Sequence, residues 1–364
     1  MVTREKDLIS FKELSSLIVI MIGTKATDMT ATLLFDRSLN AAWIVCILSF
    51  LIVLPSLLVL NYLLKKFESK NFLEITRCLI GKKLTFIIGF LFFLFALLKM
   101  AIDTRSYTDQ LITVNLPKTP LFILYILLLL VCLWGAKKGW EAIASIAIML
   151  LPYILIALTL LYLLLFKEIH FNRIFPLFGF GFKNITENSF HFSSMYADAF
   201  LIAMMYPFVK NHKTYTRGLI GSLTFTVLLV ALLLLLYNLV FDYRSIDKIT
   251  YPFNEAIRFV SIGKTITNIE TFFLTFWLLG IFVKFTIYLY LVCKIFGFVF
   301  SIEEFEHTLL PITILVLVIG MVPENDISNI YSVRTIVSSF FEYGLLYLPF
   351  FLLIVYKVKE VRSR

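Results

Sequence analysis

The chain reads as an all-α integral membrane protein of ten transmembrane helices, on three observations. Hydrophobic residues make up 60% of its 364 residues and charged residues only 16%, against roughly 45–50% and about 25% in an ordinary soluble domain. Ten apolar stretches approach or exceed the roughly 20 residues that cross about 30 Å of hydrocarbon. Two of them, the first and the sixth, carry polar residues near their middles. A soluble globule has a polar exterior to build and could not hide this much apolar surface. Composition therefore excludes a soluble enzyme, a disordered chain and a disulfide scaffold. Backbone groups in lipid must be satisfied within the segment or by barrel closure; short alternating strands are absent, so the spans are helices.

Four spans are free of charge: Trp43–Leu64, Thr119–Ala136, Ala142–Phe166 and Gly218–Phe241. Six are interrupted: about Phe11–Phe35, Leu84–Ile112, Asn188–Val209, Thr271–Cys293, Thr308–Val322 and Thr335–Tyr356. The charged N-terminus runs straight into the first span, which does not fit a cleavable signal peptide. Asn71–Ile80, with Phe72, Ile75 and Leu79 on one side, predicts a short interfacial helix, and Tyr251–Val260 a similar one. The expected organisation is a single transmembrane domain over residues 1–364, with halves of about 11–168 and 184–357.

The net charge is +9, from 33 basic and 24 acidic residues. The basic residues lie between apolar spans, with no aromatic-studded polar surface, which argues against nucleic acid as a partner. With the N-terminus inside, 19 Lys and Arg fall on the cytoplasmic side and 10 on the other; Lys25, Lys99, Arg105 and Lys284 lie within spans. That bias predicts cytoplasmic termini. Cys46, Cys78, Cys132 and Cys293 form no C-x-x-C pair or Cys/His cluster, so neither a zinc site nor any other cofactor is expected.

Charge inside a span is costly and marks a site by default. The first span breaks at Gly23, Thr24, Lys25, Thr27 and Asp28, and the sixth at Ser193, Ser194, Tyr196 and Asp198. Two interrupted helices at matching places in two five-span halves point to an inverted-repeat transporter fold with a ligand site at the midplane. Lys25 has three readings: pairing with Asp28 within a turn, meeting a ligand carboxylate, or holding the halves together in a buried ion pair. Lys99/Asp103 and Arg105/Asp109 stand four apart in the third span and read as pairs that neutralise themselves on one helix face. Lys284 has no acid within a helical turn or two, so its partner is sought on another helix, with Asp198 and Glu342 at comparable depth. Glu141 and Glu270 sit in first turns, where acids complement the helix dipole. His191 reads as a polar helix-end residue. No P-loop, G-x-G-x-x-G, H-E-x-x-H or G-x-S-x-G is present, so no enzyme chemistry is expected.

Short segments in order along the chain carry a family resemblance. They are Ile22-Gly23-Thr24, Asp103-Thr104-Arg105, Leu116-Pro117-Lys118-Thr119-Pro120, Arg173-Ile174-Phe175-Pro176-Leu177 and Ile249-Thr250-Tyr251-Pro252. Further on come Ile269-Glu270-Thr271-Phe272-Phe273 with Trp277, Lys284 and Tyr288, and Val322-Pro323-Glu324-Asn325. Together they resemble the B subunit of spore nutrient-germinant receptors, a ten-span family related to amino acid–polyamine–organocation transporters. The resemblance implies a LeuT-like 5+5 inverted repeat with broken helices 1 and 6 in the spore inner membrane. It implies partners in a membrane A subunit and a lipoprotein C subunit, and recognition of a small nutrient such as an amino acid. The chain departs from the family where Lys25 stands in place of a second glycine, and where Ala199 and Leu201 stand at about the places of a glycine and an acid.

The expected ligand-binding set is Gly23, Thr24, Lys25, Thr27, Asp28, Tyr196, Asp198 and Lys284. Three functions compete: a receptor subunit that triggers germination, a proton-coupled amino acid or amine transporter, and a scaffold that only anchors its partners.

Overall fold

A computed structural model describes residues 8–246, 248–260, 269–323 and 334–362. The motif residues Glu324 and Asn325 lie outside these. Among the described residues the fold is helical, with a single isolated β-bridge between Ile9 and Val209.

The first span is α1 (Phe11–Gly23), a 3₁₀ turn (Thr24–Ala26) and α2 (Met29–Ser38). Ser10 starts α1 through a capping box with Glu13, which satisfies two backbone donors reciprocally. α3 (Ala42–Lys66) is the second span. Asn71 caps the amphipathic α4 (Phe72–Ile80) by the same device. The third, fourth and fifth spans are α5 (Lys82–Val114), α6 (Leu121–Lys137) and α7 (Trp140–Leu165). The sixth is α8 (Phe182–His191), a 3₁₀ turn (Phe192–Tyr196), α9 (Asp198–Ile202) and a second 3₁₀ segment (Ala203–Phe208). α10 (His212–Thr216), a π turn (Arg217–Gly221) and α11 (Ser222–Val240) form the seventh. α12 (Tyr243–Ile246) and α13 (Pro252–Arg258) precede the eighth, α14 (Ile269–Phe300). α15 (Leu309–Gly320) is the ninth. α16 (Thr335–Phe340), a π turn (Phe341–Leu345) and α17 (Leu348–Arg362) make the tenth.

Six segments are long and apolar enough to cross a membrane on their own, the first running through from α2 to the end of α3; α6 and α15 are shorter apolar helices, and the broken spans complete the ten. α8 begins six residues before the apolar stretch that predicts it, because its first turns carry exposed Phe182 and Lys183 and bury only Ile185. α14 outlasts its prediction by two turns, since Phe296 and Phe300 continue onto α5 against Phe93 and Phe90 at 5.1 and 6.3 Å.

The two broken spans run antiparallel. At one end the Ile9 amide donates to the Phe208 carbonyl (2.8 Å). At the other, the Asn188 amide donates to the Arg37 carbonyl (3.2 Å). Opposite directions are what an odd-numbered five-span repeat imposes on its second copy. α14 packs on α5, α6 and α7, and α1 on α7, α11 and α14, so the break of the first span is surrounded by other helices. Large apolar side chains on the outer faces are exposed, among them Leu127, Trp134, Met149, Ile156 and Leu163. Such a surface suits lipid, not water.

α15 fits against α6 through one glycine. A Cβ at Gly320 would stand 2.0 Å from the Tyr125 hydroxyl, which bonds to Thr104, the Ala101 carbonyl and the Val316 carbonyl. Gly320→Ala is therefore expected to cost about 1–3 kcal/mol through overpacking. Adding Tyr125→Phe should recover part of the loss, as read by thermal unfolding in detergent.

Candidate functional site at the broken spans

The sequence unwinds at residues 24–28 because Asp28 starts a new helix: its carboxylate accepts from the Thr30 amide (2.7 Å) and caps α2. Short polar side chains at such a position compete with the helix for backbone donors. The unwinding exposes carbonyls, and side chains from two other spans donate to them. The Tyr107 hydroxyl donates to the Thr24 carbonyl (3.0 Å), the Tyr237 hydroxyl to the Ala26 carbonyl (3.1 Å), and the Gln110 amide to the Thr27 carbonyl (2.9 Å). The Trp277 indole donates to the Thr27 hydroxyl (3.0 Å). Buried backbone polar groups need partners, and α5, α11 and α14 together supply them for the irregular segment.

Six charged side chains meet around this segment in an alternating chain. Lys25 pairs with Asp198 (2.5 Å), Asp198 with Lys99 (3.8 Å) and Lys99 with Asp103 (3.8 Å). Asp103 continues to Lys284 (3.8 Å), and Lys284 to Asp28 (4.0 Å). The chain starts and ends on the first span and passes through the sixth, third and eighth. Three ammonium groups and three carboxylates cancel, which is the condition for burying charge at this depth. Lys25 also donates to the Met195 carbonyl, and the Tyr288 hydroxyl to Asp198. The Lys284 ammonium donates to the Tyr107 hydroxyl (3.1 Å) and lies 4.4 Å from that ring's centre.

This geometry redraws several expectations. Lys25 reaches Asp198, not Asp28, whose carboxylate is occupied by the α2 cap. Lys284 faces Asp28 and Asp103; Glu342, on the π turn, instead stands 3.1 Å from the His191 ring. Lys99/Asp103 is not a self-contained pair, since each member also reaches a third charge. Arg105/Asp109 (2.7 Å) is closer to one, with Arg105 also donating to the Gly320 carbonyl (3.1 Å). Tyr196 leaves the set: its hydroxyl donates to the Cys46 carbonyl (2.9 Å) on α3, and its ring packs on Phe50. Tyr196 closes the 3₁₀ turn and Asp198 opens α9, and their side chains meet different partners.

Two cavities flank the break. One is polar and lined by Lys25, Thr30, Arg37, Lys99, Asp103 and Arg334 among others, with a volume of about 50 Å³. The other, about 60 Å³, is lined almost wholly by apolar groups of α1, α7 and α14, and there Gly23, Thr24 and Thr27 lie. The predicted residues thus divide: Lys25 faces the polar cavity, with Asp28, Asp198 and Lys284 in the charged chain, and Gly23, Thr24 and Thr27 face the apolar one. Lys99, Asp103, Tyr107, Gln110 and Tyr288 complete the arrangement beyond the predicted set. Lys99 and Asp103 carried a legible signal, the cost of a charge inside a span.

Antiparallel broken helices that meet at a buried polar site within a ten-span bundle define a membrane permease of the LeuT fold. Two solved structures share that fold. Mhp1, a nucleobase-cation-symport-1 family transporter in a closed conformation with bromovinylhydantoin bound, superposes with a TM-score of 0.64 at 13% identity, over 87% of this chain and 72% of that one. A Na⁺-coupled sialic acid symporter superposes with a TM-score of 0.66 at 12% identity, over 95% and 80%. The family model described as spore germination protein matches residues 8–328, and the chain belongs to that permease family. Spore germination protein KB of Bacillus subtilis (strain 168) is 23% identical over 291 residues, covering 79% of this chain and 77% of that protein. Spore germination protein YndE of the same organism is 20% identical over 324 residues, covering 87% of each. The chain is thus a multi-pass membrane protein related to germination proteins.

Proposed function

We propose that this chain is the membrane B subunit of a spore germinant receptor. It recognises a small nutrient at the broken spans and, with a membrane A subunit and a lipoprotein C subunit, triggers germination from the spore inner membrane, with both termini cytoplasmic. The observation that carries the reading is the neutral six-membered charge chain beside a small polar cavity, in a chain of the spore germination family. A ligand shifts a conformational equilibrium only by its differential affinity for the two states. Loosely held ion pairs whose partners lie on four spans supply such a difference, because any relative movement of those spans changes them. The proposed organisation is one transmembrane domain with repeats of about 11–168 and 184–357, and the role is not enzymatic.

The test uses the spore-forming source organism. Deleting the gene should abolish dipicolinate release in response to one nutrient class from a panel of amino acids, organic acids, sugars and nucleosides. The wild-type gene should restore it. A Lys25→Ala copy present at comparable level should not, or should need at least tenfold more nutrient. An unchanged response across the panel in the deletion strain counts against the receptor role. The second reading, a proton-coupled transporter, draws on the same buried ionisable groups; saturable, pH-dependent uptake into proteoliposomes would favour it, and binding without flux would not.

A further inference from the structure

We propose that the polar cavity takes a small monocarboxylate with no ammonium group, such as a 2-hydroxy or simple short-chain acid, in place of an amino acid. This rests on the reading that the cavity at the broken spans is the ligand site, and narrows what it binds.

The argument is one of charge and room. Four cationic side chains line the cavity: Lys25, Arg37, Lys99 and Arg334. Lys25 is committed to Asp198 and the Met195 carbonyl. Arg334 donates to the Thr30 hydroxyl (2.6 Å), is half-buried and adds a further positive charge to the cavity wall. Arg37, in the last turn of α2 and half-buried, makes no ion pair among the described residues. Lys99 is 9% exposed and makes no hydrogen bond among the described residues; both its carboxylates stand at 3.8 Å, beyond hydrogen-bond reach. A buried ammonium without an acceptor is costly, so Lys99 is the natural seat for a ligand carboxylate. Arg37 lies two turns further along α2 than Thr30, roughly 10 Å at 1.5 Å per residue, and adds a cation to the same cavity wall.

Among the described residues an ammonium group has no comparable seat. The single carboxylate they place in the cavity wall is that of Asp103, already shared at 3.8 Å between Lys99 and Lys284. A ligand ammonium there would displace or oppose two lysines. The volume sets the size: one water needs roughly 10–15 Å³ by this measure, so about 50 Å³ accommodates about three to five waters, or one small acid.

The test exploits two molecules of the same shape. L-Lactate and L-alanine differ in a hydroxyl against an ammonium, and L-alaninamide removes the negative charge altogether. Binding to the purified full chain in lipid nanodiscs is measured by calorimetry. L-Lactate should bind at least tenfold tighter than L-alanine, and L-alaninamide should not bind. Lys99→Gln and Arg37→Gln should each weaken lactate at least tenfold. Both variants are checked for unchanged elution and unfolding temperature; should Lys99→Gln fail to fold, the partly exposed Arg37→Gln carries the comparison. Alanine binding as tightly as lactate overturns the proposal. So does the absence of lactate binding, or lactate binding that neither substitution weakens. Failure here is separable from failure of the receptor role. A deletion strain that loses a nutrient response while the chain ignores lactate refutes the ligand class alone. A chain that binds lactate in spores indifferent to the deletion refutes the receptor role alone.

Discussion

Asp198→Ala is expected to destabilise the bundle by about 3–5 kcal/mol, the cost of leaving a buried charge without its partner. Asp198 is fully buried and serves Lys25, Lys99 and the Tyr288 hydroxyl together. Without it, Lys25, 1% exposed, retains only the Met195 carbonyl, and the ion pair between the two broken spans is gone. Asp198→Asn keeps the size and an acceptor for Tyr288 but not the charge, so the difference between the two variants isolates the ion pair. Removing both charges, as Lys25→Met with Asp198→Asn, should recover most of the stability, because a buried pair can be exchanged for apolar groups at little cost. It should not recover the nutrient response. Unfolding temperature and folded yield in detergent decide the first part, spore assays the second. A loss under about 1 kcal/mol in Asp198→Ala, typical of an exposed pair, would show that water reaches this pair.

The second large effect concerns Lys284. Its ammonium joins three spans: Asp28 on the first, Asp103 and Tyr107 on the third, and its own helix as the eighth. Lys284→Met preserves much of the apolar stem that packs in the core while removing the charge. At matched protein level the variant is expected to lose at least tenfold in nutrient sensitivity, or in transport rate should the chain prove a transporter. Of its two ion pairs Asp103 would then keep the one with Lys99, drawing that ammonium from the cavity. A variant that responds normally would show that Lys284 merely fills space.

Much of this arrangement is written locally. Hydropathy marked all ten spans, because each helix in lipid must be apolar over its own length. The capping boxes at Ser10 and Asn71 are sequential devices. Lys25, Asp28, Asp198 and Lys284 stood out because a charge within a span is expensive wherever its partner lies. The errors fell on direction and distance. Tyr196 was grouped with Asp198 for its proximity in sequence, although the first reaches α3 and the second the 3₁₀ turn of the first span. Lys99 and Asp103 looked self-sufficient at a spacing of four, although both reach further charges at the same 3.8 Å.

By itself, then, the sequence determined the class of protein, the number of spans, the places where two of them break and most of the charges that must be buried. Tertiary structure alone decided which ammonium meets which carboxylate and which hydroxyls and amides fill the freed carbonyls. It also decided that two different cavities flank one break. The reason is physical: the cost of burying a group is a property of that residue and its immediate neighbours. The interaction that offsets the cost comes from helices distant in sequence, whose approach depends on the packing of the whole bundle.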